Sequence, residues 1–400
     1  MKHIATRLGM SQASSGMVSG VFLPFFGAWL SWRGMSAGQI GLLLSSALLL
    51  RAFAGPMSGI VADAHNDRRR VMLTLYWIML AGFAAMGTMP VKAAIFFTGV
   101  IAYVSYGAAT PLLESVCARL SERHGFDYGR VRIWASTAFV AMNLVGGVCT
   151  QYLGFWPVAP LLAFGAAMCV GSTILLPSPT APTQGDLLPR LKATAGEARE
   201  LLGAPVFLVF LAAASFEQSS HGFYYAYGGL HWISIGYKPL LVSLIWPLGV
   251  FTEIALFSQA LRVLRLFGPA RLLLLGGLVC VVRWTILAFD PPLPVVIFAQ
   301  FLHGGTFALA HLGAVFFILR AVPPRLAATA QSLYFVCSQG LMMGFSTQLS
   351  GHFYAAMGGR AYLLMSAMGA ISMVLSFVLI KRWHGARILA GAADEHIDTI

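Results

Sequence analysis

The sequence predicts an all-α integral membrane protein with twelve transmembrane helices in two six-helix bundles, and three observations predict it. Of its 400 residues 58% are hydrophobic and only 10% charged, with a mean hydropathy of +0.77, whereas a water-soluble chain carries about 25% charge. Apolar runs of about 20 residues, the length that crosses a hydrocarbon core, recur along the whole chain. Cations gather in alternate turns between those runs. Little length is left for a soluble catalytic domain. The glycine pairs are followed by no phosphate-loop lysine and lie in apolar spans, and no metal spacing or nucleophile constellation accompanies them. The expectation is a protein that is not an enzyme and needs no cofactor or metal; a membrane sensor or enzyme is the alternative from another class.

Breaks of charge, Pro and Gly place spans at 10–32, 38–61, 71–89, 92–117, 131–153 and 156–176, which form an N-terminal bundle over 1–176. Spans at 205–232, 239–261, 270–289, 293–319, 327–350 and 361–380 form a C-terminal bundle over 204–383. Between them 177–203, rich in Pro, Ser, Thr and charge, reads as a cytoplasmic linker, and 384–400 as a tail. With the amino terminus inside, nineteen of the 26 cations fall on the cytoplasmic side, and only Arg33, Lys92, Lys238 and Arg360 fall outside. That asymmetry predicts a multi-pass protein of a bacterial-type inner membrane with both termini cytoplasmic. The net charge of +12 is then topogenic, and no nucleic-acid partner is expected. Cys117, Cys149, Cys169, Cys280 and Cys337 lie in or at the ends of spans and read as small apolar residues. A basic turn follows both the second and the eighth span, Arg68–Arg70 and Arg262–Arg271, as in a duplicated transporter.

The informative residues are the ionisable ones at membrane depth: Arg51, Glu114, Arg132, Glu217, His221, Glu253, Arg283, His303 and His311. Each costs on the order of 2.5–3.5 kcal/mol at a helix centre, so each needs a partner or an aqueous cavity. Buried structural ion pairs are the competing use. In the N-terminal half, two arginines and one glutamate would attract an anion, since a guanidinium fork suits a carboxylate or vicinal hydroxyls. Trp134, Phe53, Tyr103 and Tyr106 offer an apolar wall for an aromatic ring, although packing is the commoner use of such residues. Glu217 and His221, at i and i+4, share a helix face, with Tyr224 and Tyr225 one turn further.

The run Gly59-Ile-Val-Ala-Asp63 followed by Arg68-Arg69-Arg70 resembles the signature of the major facilitator superfamily between helices 2 and 3. Gly59 would allow close helix approach, and a carboxylate at the C-terminal end of its own helix needs a compensating partner. The resemblance implies the major facilitator fold, and a cytoplasmic latch of Gly59, Asp63 and Arg69 that breaks during alternating access. A narrower likeness rests on Tyr128-Gly129-Arg130-Val131-Arg132-Ile133-Trp134, Phe216-Glu217-Gln218, Gly249 to Glu253, and Leu302-His303-Gly304-Gly305-Thr306 through His311. These look like the phenylpropionate permease group, relatives of the lactose/proton symporter. The likeness implies that Glu114 and Arg132 meet at the substrate site. It also implies that Glu253, Arg283 and His303 handle protons.

One departure is decisive. Thr306, which cannot ionise, stands where the lactose symporter has its proton-releasing glutamate, and Gln300 replaces the lysine before the histidine. The eleventh span carries no charge, so Glu217 needs another partner or a proton, and Glu217 with Glu253 lead as proton carriers. Arg51, Glu114, Arg132, Trp134 and Tyr224 are the expected substrate residues; Glu217, His221, Glu253, Arg283 and His303 are the expected coupling residues. The expected function is proton-coupled import of a small organic anion, an aromatic acid such as a phenylpropionate, by a monomer whose partners are substrate, protons and the bilayer. A sugar, oligosaccharide or nucleoside is the alternative substrate.

Overall fold

The computed structural model describes residues 2–65, 67–177 and 187–389, and among them there are helices and turns but no strand. The first half holds α1 (Lys2–Trp32), α2 (Ala37–Ala64), α3 (Arg68–Thr88), α4 (Lys92–His124), α5 (Tyr128–Leu153) and α6 (Val158–Ile174). Within the polar stretch lies α7 (Leu187–Leu202). The seventh span is two helices, α8 (Pro205–Ser219) and α9 (Gly222–Ser234), and α10 (Pro239–Ser258), α11 (Ala260–Phe267) and α12 (Pro269–Leu287) follow. Each of the next two spans contains a π-helical turn. Gly304–Leu309 joins α13 (Leu293–Phe301) to α14 (Ala310–Ala321), and Val336–Met342 joins α15 (Ala327–Phe335) to α16 (Met343–Met357). A 3-10 turn, Gly358–Ala361, leads into α17 (Tyr362–Arg382).

Nine helical runs among the described residues are long and apolar enough to cross a membrane, the last of them, Pro324–Arg382, holding two spans on either side of its 3-10 turn. The run through α8 and α9 passes together with the end of α7, which meets it at a 90° bend, and α6 is apolar but shorter, at 17 residues. All twelve expected spans therefore coincide with helix. Boundaries differ where caps extend a helix beyond the apolar run. Asp67 accepts from the Arg70 backbone N–H at 2.9 Å, so α3 starts at Arg68 rather than 71. Asp127 does the same for Gly129 at 2.7 Å, starting α5 at Tyr128. At the far end of α4 the helix runs on to His124 and stops at Gly125, whose φ of +66° suits glycine.

The chain divides into two compact units, and the division is not the even one expected. One unit is Met1–Gln184 with Tyr224–Pro247 and Thr347–Ala355; the other is Gly185–Phe223, Leu248–Ser346 and Ala356–Ile400. Two stretches of the second half thus group with the first six helices, because small residues let backbones meet there. A Cβ added at Gly229 would lie 1.8 Å from the Pro24 carbonyl oxygen, and one at Gly27 2.3 Å from that of Ala226. Tyr227 donates to the Ala37 carbonyl at 2.8 Å and Ser45 to Gln348 at 3.0 Å. Within this unit α1 packs on α5 and α6, and α4 on α2 and α3.

In the other unit α17 packs on α12 and α8, around a core that includes Phe207, Phe210, Leu273, Phe317, Tyr334 and Leu379. The polar stretch is more structured than a linker. Arg325 grips Glu200 with two hydrogen bonds of 2.9 and 2.5 Å, and Thr329 donates to Glu197, so α7 is docked on the start of the eleventh span. The first tail residues also dock, with the Ile388 N–H on the Ala321 carbonyl at 2.7 Å. Residues 178–186 of the linker and 390–400 of the tail lie outside the described residues.

Candidate functional site

Ionisable residues gather in two clusters, one in each unit. In the first, Glu114 on α4 meets Arg132 on α5: Nη1 donates to Oε1 at 2.5 Å. The arginine side chain is 55% exposed and the glutamate 29%, so the guanidinium is open to a ligand while its partner is largely covered. Two residues that were not among the expected site residues complete the group. Tyr128 donates its hydroxyl to Glu114 Oε2. Gln12, buried on α1, donates Nε2 to the same oxygen at 3.3 Å and accepts from Arg132 Nη1 at 3.4 Å.

The remaining expected substrate residues are distributed differently. Arg51 donates to the Tyr103 hydroxyl at 3.4 Å, with its guanidinium 5.7 Å from that ring's centre. Phe22, Tyr103 and Tyr106 stack in succession, with ring centres 4.3 and 6.5 Å apart. Trp134 is half-exposed and lies over Gly9 of α1, where an added Cβ would be 2.8 Å from the indole. Phe53 is exposed on α2. Tyr224 is buried in an aromatic group with Trp246, stacked at 4.4 Å, and Trp232, so it fills the interior instead of standing open to a ligand.

The second cluster centres on Arg283 of α12, fully buried. Its Nε donates to the Ala299 carbonyl at 2.9 Å, Nη1 reaches His303 Nδ1 at 2.9 Å and Thr306 Oγ1 at 3.0 Å, and Nη2 donates to Gln300 at 3.3 Å. Because a guanidinium only donates, Nδ1 of His303 accepts, and its proton sits on Nε2, which faces Glu253 Oε2 at 3.9 Å. Thr306 is a hub: its hydroxyl lies 3.0 Å from His221 Nε2 and 3.1 Å from the His303 carbonyl. His221 is anchored on its other side by the Gln218 carbonyl, 3.1 Å from Nδ1. The π-helical turn begins immediately after His303 and carries Thr306, a common placement for such turns at functional sites.

Glu217 stands apart from that network. Helix α8 ends at Ser219 and α9 begins at Gly222, so the shared face expected for Glu217 and His221 does not form. Glu217 instead turns to α17 and α12. It is fully buried, accepts from Ser372 at 3.3 Å through Oε2, and its Oε1 has no hydrogen-bond partner among the described residues. Gly276 makes the room, since a Cβ there would lie 1.7 Å from that oxygen. His311 is exposed and stacks on Phe307 at 6.2 Å, outside the Arg283 cluster.

The turn after α2 corrects the expected latch in two respects. Asp63 pairs with Arg68 at 2.7 Å, not with Arg69. Arg68 begins α3 one turn across from the end of α2 and is buried, also donating to Ser115 on α4, whereas Arg69 points to the Ile174 carbonyl at 2.5 Å and completes the C-terminal end of α6. Gly59 makes no close helix approach; nothing lies within 4 Å of an added Cβ.

A family model described as the MFS_1 like family matches residues 16–365. A probable 3-phenylpropionic acid transporter of Escherichia coli (strain K12) is 28% identical over 367 residues, covering 89% of this chain and 93% of the relative. The maltose permease of Geobacillus stearothermophilus is 27% identical over 371 residues, covering 91% of each. Among solved structures, the nucleoside transporter NupG superposes with a TM-score of 0.79 at 17% identity, covering 94% of this chain and 98% of that one.

Proposed function

The chain belongs to the MFS_1-like family of membrane transporters, and we propose from that premise that it is a proton symporter importing a small aromatic acid, such as a phenylpropionate, by alternating access. The observation that carries the coupling is Glu217. An ionised carboxylate taken out of water ordinarily collects a cation or several donors, and among the described residues this one has a single hydroxyl. The setting fits a carboxyl that carries its proton through the membrane as a neutral acid. The Arg283 cluster would sense that proton. Arg283 occupies Nδ1 of His303, so a proton arriving there has to displace the guanidinium, and Glu253 and Thr306 are the groups placed to respond.

The open guanidinium of Arg132 supports an anionic substrate, because a carboxylate matches its fork better than the neutral acceptor of a sugar. The likeness to a 3-phenylpropionic acid transporter points the same way. The maltose permease is nearly as similar, which keeps a neutral sugar as the second reading. On the cytoplasmic side, the Asp63–Arg68 pair is the proposed latch.

Uptake of labelled 3-phenylpropionate into proteoliposomes tests the proposal. With an acidic exterior the acid should accumulate above equilibrium, a protonophore should abolish the accumulation, and excess maltose should leave it unchanged. Gradient-driven accumulation of maltose without that of the acid would replace the first reading by the second.

A further inference from the structure

We propose that Gln12 is the positioning residue of the Glu114–Arg132 pair: with Tyr128 it keeps Glu114 hydrogen-bonded while Arg132 turns to the carboxylate of an arriving monoanion. The identity of that ligand rests on the symport reading above; the hydrogen bonds do not. Glu114 divides its two oxygens. Oε1 faces Arg132, and Oε2 accepts from Tyr128 and from Gln12 Nε2. A largely covered carboxylate that loses its cation and has no other donor is strongly penalised. Here two neutral donors stay behind, so the guanidinium can leave at a tolerable cost.

The amide is the right chemistry for both neighbours at once. Its Nε2 donates to Glu114 and, at 3.5 Å, to Cys117 Sγ, while its Oε1 accepts from Arg132 at 3.4 Å. A carboxylate at this position would compete with the ligand for Arg132, and an apolar side chain would leave Glu114 with Tyr128 alone. Gln12 is 1% exposed, so it acts through Arg132 and Glu114 and not by touching the ligand. The three groups come from α1, α4 and α5, which is why ligand exchange at Arg132 would be felt by three helices together.

The test measures 3-phenylpropionate binding to the purified full chain by calorimetry, and counterflow in proteoliposomes. Gln12→Leu should raise Kd roughly tenfold or more, as loss of hydrogen bonds to charged groups does, with kcat of counterflow unchanged. Gln12→Glu should lose binding at neutral pH and regain it, relative to wild type at the same pH, as the introduced carboxyl takes up a proton; a merely structural role would not produce that profile. A cycle without ligand compares the melting temperatures of wild type, Gln12→Leu, Arg132→Gln and the double variant. The cost of Gln12→Leu should persist or grow once Arg132 is gone. If it vanishes in that background, the amide serves Arg132 alone and the proposal is overturned; wild-type affinity in Gln12→Leu overturns it as well. Should Arg132→Gln fail to fold, the affinity and pH measurements decide alone. If wild type binds no 3-phenylpropionate, the substrate reading falls while the melting cycle still decides the role of Gln12.

Discussion

At the scale of single residues, the glutamates Glu217 and Glu114 lie in contrasting surroundings, the first buried beside Ser372 and the second paired with Arg132. Glu217 is buried with one neutral hydrogen bond among the described residues, so Glu217→Gln, which mimics the protonated acid, should abolish uphill uptake and spare counterflow, in which no net proton moves. Equal loss of both activities would place Glu217 in structure and not in coupling. Arg132 holds Glu114 at 2.5 Å with half its surface open. Arg132→Lys keeps the charge but loses the fork, and substrate affinity should fall roughly tenfold or more; unchanged affinity by calorimetry would exclude Arg132 from the binding site. The ionisable members of both clusters were legible in the sequence because each is costly at membrane depth. Gln12 and Ser372 were not, since neutral polar side chains carry no comparable signal and their partners lie on other helices; Tyr128 stands in the motif that carries the likeness, but its role toward Glu114 on another helix does not follow from the motif. The pairing of Asp63 was misread by one residue: which of three consecutive arginines turns inward is set by the start of α3, and Asp67 decides that start.

At the scale of elements, hydropathy located every span, and local chemistry decided where each one bends. No periodicity marks the break between Ser219 and Gly222, whose consequence is that Glu217 and His221 serve different neighbours. Nor does hydropathy reveal the π-helical turns of the tenth and eleventh spans. Glycines carry a partial signal: Gly276 stands in an apolar span, and the group for which it leaves room is the Glu217 carboxyl. Gly276→Ala should expel Glu217 from its pocket, lowering the melting temperature and abolishing uphill uptake, whereas Gly171→Ala, where nothing lies within 4 Å, is the matched control with little effect. The docking of α7 has its own pH signature. Hydrogen bonds from Arg325 hold the Glu200 carboxyl below its usual range. A depressed carboxyl stabilises the fold above its unfolded pKa, about 4.3, and that contribution is lost as pH falls through the lower folded value. The melting difference between wild type and Arg325→Gln should therefore be present near neutrality, small because the pair is exposed, and disappear in acid; a difference that grew on acidification would contradict the pairing.

At the scale of the whole molecule, alternating access requires contacts that are close enough to seal and weak enough to part. The unit that joins Tyr224–Pro247 and Thr347–Ala355 to the first six helices has that character. Its seams are backbone against backbone at glycines, with a few neutral hydrogen bonds such as Tyr227 to Ala37 and Ser45 to Gln348. Packing of this kind depends on separation, so one methyl group can tip it. Gly229→Ala places a Cβ 1.8 Å from the Pro24 carbonyl, and neither backbone can yield without the helices moving apart. We expect that variant to favour the conformation in which these stretches have separated. The reporter is a cysteine at Ser243, a fully buried position whose Oγ would lie 2.3 Å from a Cβ added at Gly147, in a chain whose five native cysteines are replaced. Alkylation of Ser243→Cys should be slow in the parent and several-fold faster with Gly229→Ala, and bound 3-phenylpropionate should change the parent's rate. An unaltered rate in folded Gly229→Ala would mean that these glycines fix a permanent contact, and the moving seam would then have to lie elsewhere in the molecule.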